Sequence, residues 1–201
     1  MKHSTRWWWL RHAPVPDPEG RIHGRLDLPC DTSETEDFAA LARLLPRGAV
    51  LVESGLIRCM QTTEALSNVG LPLPPPIIVP AFVEQDFGHW QGQSWSRLQT
   101  AKDPDLAAFW QAPATTPPPG GESFSDMVER VKAAIDVLTE ENPNRDIIAI
   151  AHAGTIRAAL AIALDLPPET ALRFAVAPLS LTRLEVMDGA WAVNGVNLLP
   201  G

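Results

Sequence analysis

The sequence predicts an α/β protein, a three-layer α/β/α sandwich around a mostly parallel sheet. Three observations carry that prediction. Residues 7–10 (WWWL), 49–52 (AVLV) and 147–151 (IIAIA) are short, continuously apolar runs. Such runs suit strands buried on both faces rather than half-exposed ones. The second and third runs are each followed by a helix-compatible stretch, and alternating strand and helix builds a sheet covered by helices. Near the C-terminus two alternating runs flank Asp188-Gly189. That pair marks a tight hairpin, so an antiparallel pair is expected at the edge of the sheet.

In chain order, the first run ends at Arg11-His12, and Pro14 and Pro16 then break the chain. The second leads through Glu53-Ser54-Gly55 into a helix predicted over 56–68, with Ser54 as its cap and Gly70 as its stop. Nine of the twenty prolines cluster at 72–80 and 113–119, which read as loops. A lid-like insertion is expected at about 90–120, where Trp90, Trp95, Phe109 and Trp110 fall. A helix is predicted over 123–141, because Phe124, Met127, Val128, Val131, Ile135 and Leu138 share one helical face. After Gly154 the stretch TIRAALAIALDL is helical and stops at Pro167-Pro168. A chain of 201 residues suits one domain over 1–201.

Composition excludes several function classes. With 16 Lys+Arg against 24 Asp+Glu, the net charge is −8, which disfavours nucleic acid and anionic membranes as partners. Cys30 and Cys59 form no disulfide framework and no C-x-x-C motif, so two free thiols in a reducing cytoplasm are expected. The N-terminal apolar run is too short for a signal peptide, and no run approaches the ~18 apolar residues of a membrane span. The expectation is a soluble cytoplasmic protein. Its oligomeric state has no sequence signal.

Ligands of open α/β sheets bind beyond the carboxyl ends of the strands. Here the buried runs deliver Arg11 and His12, then Arg58, then His152 to that end. Two arginines and two histidines at one mouth would repel one another unless an anion sits between them. A phosphate fits, and arginine matches it bidentately. The same neighbours make a poor cation site, and no H-x-H or H-E-x-x-H spacing occurs, so no metal is expected. His3 reads as terminal, while His23 and His89 lie in loops that could rim a pocket. An anion site that cleaves esters also needs a proton donor for the leaving group. Glu84, in FVEQDFGHWQG, is the candidate and Asp86 its competitor. Glu122 and Ser123 read first as a helix start and second as substrate-facing groups. Cys59 reads as buried packing rather than as a nucleophile.

These stretches resemble, in order along nearly the whole chain, the motifs of the histidine phosphatase superfamily: WWLRHAPV, VESGLIRCMQTTEAL, FVEQDFGHWQG, PPGGESFSDMVERV and IAHAGTIRAAL. The resemblance implies that His12 takes the phosphoryl group as a phosphohistidine. It implies that Arg11, Arg58 and His152 hold the equatorial oxygens, and that Glu84 protonates the leaving oxygen and later activates water. No metal or organic cofactor is implied. Such a division of labour agrees with phosphoryl-transfer chemistry, which needs positioning, charge stabilisation and a nucleophile that splits the reaction into two steps. The chain departs from the family pattern at Ala13 and Ala153, where glycine is usual, and at Glu53, where serine is usual.

RIHGRLDLPC is similar to a segment of alpha-ribazole phosphatases, with His23 in place of a usual tyrosine and Gly24, Arg25, Asp27 and Pro29 matching. The substrate this implies is alpha-ribazole 5′-phosphate of cobalamin biosynthesis, bound near His23, Gly24, Arg25, Glu122 and Ser123. The alternatives are a phosphatase of another small metabolite (a sugar phosphate or nucleotide), a phosphohistidine-protein phosphatase, and a non-catalytic phosphate-binding module. Between His89 and Gly121 the basic residues are Arg97 and Lys102, which argues against mutase activity. The aromatics of the same stretch suit either a wall for a flat leaving group or packing of the lid onto the body.

Overall fold

The computed structural model describes residues 4–200, so His3 lies outside the described residues. Strand β1 (Ser4–Arg11) alternates its side chains across the sheet. Trp7 and Trp9 point to one face and are fully buried, with ring centroids 5.0 Å apart, and both meet Phe82 edge-on. Leu10 is buried on the other face, beside a half-buried Trp8 that Arg183 covers at 4.2 Å. The apolar run is therefore continuous because both faces of the strand are covered. Truncating Trp7 or Trp9 to alanine would cost about 3–5 kcal/mol, as for large aromatic core residues.

Strands β2 (Val50–Glu53), β3 (Ile77–Ile78) and β4 (Asp146–Ala151) run parallel to β1, while β5 (Leu181–Met187) and β6 (Ala190–Leu198) form the hairpin. The sheet order is β3-β2-β4-β1-β5-β6. β1 pairs with β4 in parallel (Leu10 opposite Ile150) and with β5 antiparallel (Leu10 opposite Leu181). Asp188 and Gly189 both adopt positive φ at the hairpin turn, as the Asp-Gly signal requires.

Helices α1 (Thr35–Leu44) and α2 (Ile57–Asn68) cover the Leu10 face. Helices α5 (Phe124–Glu141) and α6 (Ala153–Leu164) cover the Trp7–Trp9 face. Between them in the chain, α3 (Trp95–Thr100) and α4 (Pro104–Gln111) lie within the insertion, and α7 (Pro168–Ala171) follows α6.

The elements differ from the sequence reading in four places. Ser54 is not the cap residue of α2: Leu56 occupies that position without a side-chain bond, and Ser54 Oγ accepts from the Leu56 N–H at 3.3 Å and meets His152. The proline-rich 72–80 stretch is not all loop, since Ile77 and Ile78 add a two-residue edge strand to β2. The helix after Gly154 stops at Asp165, which takes a left-handed conformation, ahead of Pro167-Pro168. Helix α1 lies in a stretch with no helix predicted, although Phe38, Leu41 and Leu45 mark its buried face. Among the described residues no helix is long and apolar enough to cross a membrane.

Candidate active site

The carboxyl ends of β1, β2 and β4 converge on a cavity of about 320 Å³, with Arg11, His12, Arg58 and Glu84 in its wall. The end of β1 is fixed from both sides. The His12 N–H donates to the Ala151 carbonyl at 3.0 Å, and the Ala13 N–H donates to Thr62 Oγ1 of α2, also at 3.0 Å.

His12 is only 6% exposed. Its Nδ1 lies 2.7 Å from the Ala13 carbonyl oxygen. A carbonyl only accepts, so Nδ1 carries the proton and Nε2 keeps its lone pair. Burial, followed by the charges of Arg58 and Arg11, pulls the imidazole pKa down to about 3. The ring is neutral at pH 7 with a free basic nitrogen.

The His152 ring stands 5.1 Å from that of His12, centroid to centroid, and is fully buried. Arg58 donates from Nε to His152 Nδ1 at 3.2 Å. Because a guanidinium only donates, the proton of His152 sits on Nε2, which meets Ser54 Oγ at 2.8 Å. The Ser54 hydroxyl in turn donates to Cys59 Sγ at 3.3 Å. Burial, then the charges of His12 and Arg58, hold the His152 pKa well below its ordinary value. The Cys59 thiol is pushed up to about 12, chiefly by burial, which makes it inert packing.

Arg58, at the start of α2, is 1% exposed. Its Nη1 donates to the Leu26 carbonyl at 2.6 Å and its Nη2 to that of Gly24 at 2.8 Å. The RIHGRL loop thus aims the guanidinium through backbone oxygens. Gly24 has a positive φ, and a Cβ there would meet the Gln91 side chain at 2.2 Å. Arg11 is held by one bond, from Nη1 to the Val176 carbonyl at 2.6 Å, while its buried Nε has no partner among the described residues.

Glu84 is positioned by backbone amides. Its Oε1 accepts from the N–H of Gln85 at 2.9 Å and of Gly154 at 3.1 Å. Gly154 opens α6, and a Cβ there would stand 2.1 Å from Glu84 Oε1, so only glycine admits the carboxylate. The loop carrying Glu84 is clamped from behind by Arg130 of α5, which donates to the carbonyls of Ala81, Val83 and Glu84.

The structure brings together Arg11, His12, His23, Gly24, Arg58 and Glu84 around the cavity. His23 lines it with its Nε2 2.8 Å from Asp17 Oδ2. His152 lies beneath His12 and Arg58. Four sequence candidates are taken up elsewhere. Arg25 reaches Glu122 Oε1 at 3.0 Å rather than the cavity. Glu122 also holds Arg130 at 2.6 Å. Burial opposes its ionisation, but Arg130, the Asp86 N–H and Arg25 outweigh that and keep its pKa below the usual range. Ser123 caps α5, accepting from the Asp126 N–H while Asp126 accepts from its own. Asp86 closes a turn by accepting from the Gly88 N–H at 2.8 Å. Glu53 accepts from Thr63 Oγ1 at 2.8 Å, away from the cavity.

Opposite the strand ends, the insertion supplies an apolar wall. Trp90 and Phe109 are buried inside it, meeting edge-on at 5.2 Å. Phe87 and Trp95 reach the cavity, whereas Trp110 is 56% exposed. The insertion is tied to the body where Ile22 and Gly92/Gln93 exchange two backbone bonds of 2.8 Å each. Of the aromatics named from the sequence, Trp90 and Phe109 pack the insertion and Trp95 lines the cavity. The backbone carbonyls that aim Arg58, and the Ser54–His152 contact, carry no sequence signal.

A buried, neutral histidine thus stands at a strand end beside two arginines, a second histidine and a carboxylate. The chain belongs to the histidine phosphatase superfamily (branch 1), whose family model matches residues 7–199. It is similar to a bifunctional protein of Mycobacterium tuberculosis, at 31% identity over 96% of this chain, and spans about half (54%) of that relative's length. It is 29% identical to a glucosyl-3-phosphoglycerate phosphatase of Mycolicibacterium vanbaalenii, over 79% of this chain and 73% of that protein. The fold matches the alpha-ribazole phosphatase of Shigella flexneri with a TM-score of 0.82, at 22% identity and 96% coverage of both chains.

Proposed function

We propose that this chain is a phosphomonoesterase that works through a phosphohistidine at His12. The observation that carries this reading is the tautomer of His12: proton on Nδ1, lone pair on Nε2, in a cavity shared with Arg11, Arg58 and Glu84. The Nε2 lone pair attacks phosphorus, and the bond from phosphorus to the ester oxygen breaks. Glu84 gives its proton to the leaving oxygen, so an alcohol departs. The Glu84 carboxylate then takes a proton from water, the water oxygen attacks phosphorus, and the N–P bond breaks. Inorganic phosphate leaves and the neutral imidazole returns. Arg11 and Arg58 balance the charge on the equatorial oxygens. His152 props Arg58 while the cavity is without an anion. A bound dianion favours uptake of a proton from solvent at His152 Nδ1, which then donates to a third oxygen in place of accepting from Arg58. No step needs a metal or organic cofactor.

Two substrate readings have support. The RIHGRLDLP segment favours alpha-ribazole 5′-phosphate. The 29% identical glucosyl-3-phosphoglycerate phosphatase favours a sugar-acid phosphate. The test is kcat/KM in EDTA for alpha-ribazole 5′-phosphate, glucosyl-3-phosphoglycerate, simple sugar phosphates and an aryl phosphate, with His12→Ala as the blank. Turnover lost in the blank and unaffected by EDTA is the expected result. Turnover equal to the blank would leave a phosphate-binding module, and strong inhibition by EDTA would overturn metal independence.

A further inference from the structure

A second cavity, of about 270 Å³, lies beside the first and shares Glu84, Phe87 and Trp95 with it. Its other walls include Phe109, Trp110, Phe124 and Leu172. Besides Glu84 and Gln85, one cationic group lines this largely aromatic space: Arg157 of α6. Its Nε donates to the Phe174 carbonyl at 2.9 Å. Neither of its terminal nitrogens has an acceptor among the described residues, and no carboxylate pairs with it there. The residue is half-buried. Burial pulls its pKa down while the charge of Glu84 opposes that.

The guanidinium is half-buried and lines the cavity with its terminal nitrogens unclaimed by acceptors among the described residues, so they are available to a ligand. The bond from Nε turns the two Nη groups into a fixed end-on fork, which matches the two oxygens of a carboxylate. Glu84 stands between the two cavities. In the reading above it protonates the leaving oxygen, so the alcohol half of the ester must lie next to it. The first cavity holds the arginines and His12, and therefore the phosphoryl group. The space on the other side of Glu84 is left for the alcohol.

We propose that the second cavity binds the alcohol half of the substrate, a body with a flat face that stacks on Trp95, and that Arg157 binds a carboxylate carried by that alcohol. The inference rests on the phosphatase reading and favours the sugar-acid ester of its two substrates, since the alternative leaving group has no carboxylate.

The test compares 4-carboxyphenyl phosphate with its uncharged isostere, 4-carbamoylphenyl phosphate, in the wild type and in Arg157→Met. The variant should lose about 10-fold or more in kcat/KM on the carboxylate ester, mainly through KM, and change by less than about 3-fold on the carbamoyl ester. Equal losses on both esters, or no change on either, would overturn the proposal. Should the variant fail to fold, the wild type still decides. As inhibitors, 4-hydroxybenzoate should then bind at least about 10-fold more tightly than 4-hydroxybenzamide, and equal inhibition would overturn the proposal. Failure of the phosphatase reading is separable. If His12→Ala turns over both esters as fast as the wild type, that reading falls. Quenching of tryptophan fluorescence by 4-hydroxybenzoate, weakened in Arg157→Met, would still support the carboxylate site, and its absence would remove it.

Discussion

At the strand ends, each charged or basic group is fixed by hydrogen bonds to backbone or to a buried partner. Arg58 holds two carbonyls and His152, His12 holds Ala13, and Glu84 holds two amides. Across the cavity, Trp95 of the insertion and Phe87 just before it are held by aromatic contacts, and Trp110 is largely in solvent. One side is rigid and polar, and the other is apolar and built from short helices. The difference separates chemistry from selection. A phosphoryl group has one shape, so the groups that meet it must be placed within tenths of an ångström. Leaving groups vary, and a wall of stacked rings tolerates variation.

The largest test of this division is His12→Ala. It should lower turnover on every phosphate ester by about 10⁴-fold or more, the scale on which removal of a nucleophile acts, with an unchanged circular dichroism spectrum. If some esters kept wild-type rates, the strand-end side would not be the common chemical centre. Glu84→Gln sharpens the same comparison. It should slow alkyl phosphates by about 10²–10³-fold, yet slow p-nitrophenyl phosphate by less than about 10-fold, because a good leaving group needs no proton. Rates measured on a series of leaving groups check this. A loss independent of the leaving group would remove Glu84 as the general acid.

Stability against pH probes the strand-end side alone. The folded-state pKa of His12 is about 3, against 6.5 for the free side chain. The unfolded chain therefore binds a proton that the folded chain refuses. The stability contributed by this group is full above pH 6.5 and falls as pH drops from 6.5 towards 3. His152 acts in the same direction. Each such histidine costs up to about 1.4 kcal/mol per pH unit in that window. Between pH 7 and 5 the unfolding free energy should fall by about 2 kcal/mol per histidine, and His12→Gln should remove one share. Urea melts at the two pH values measure it. Identical slopes in wild type and variant would mean that His12 is not held neutral by the fold.

The polar side of the cavity was far more legible in the sequence than the apolar side. Buried parallel strands read as unbroken apolar runs, so a charged residue at the end of one stands out. Arg11, His12 and His152 were visible in that way, and Arg58 followed from the turn after β2. Gly-Gly-Glu-Ser reads first as a turn and a helix start, and Ser123 does cap α5, whereas the partners of Glu122 carry no local signal. Arg130, which claims Glu122, lies eight residues away on α5 and gave no cue. Of the second cavity, only the aromatics of the insertion were legible. Its lining comes from the insertion, α5, α6 and the segment after α7, and only the folded chain brings these together. Arg157 left one faint sign, a lone charge within the apolar TIRAALAIAL.

Glu53 supplies the smallest and sharpest test, because it is a buried charge at a strand end that lies outside the chemistry. It closes β2 one residue before Ser54, is 2% exposed, and accepts from Thr63 on α2. Burial raises its pKa above 4.5, with the Thr63 bond opposing in part. A raised carboxyl pKa stabilises the fold at low pH, and that contribution is lost as pH rises through the folded-state value. At pH 7 the ionised group is therefore a burden on the fold. Glu53→Gln keeps an oxygen for the Thr63 hydroxyl and removes the charge. It should raise Tm at pH 7 by about 2 °C, with the gain shrinking as pH falls towards 4.5. It should leave kcat/KM within about 2-fold of wild type, as expected for a substitution outside the site. A large loss of turnover would mean that position along the strand, rather than contact with the cavity, decides which buried charges serve the reaction.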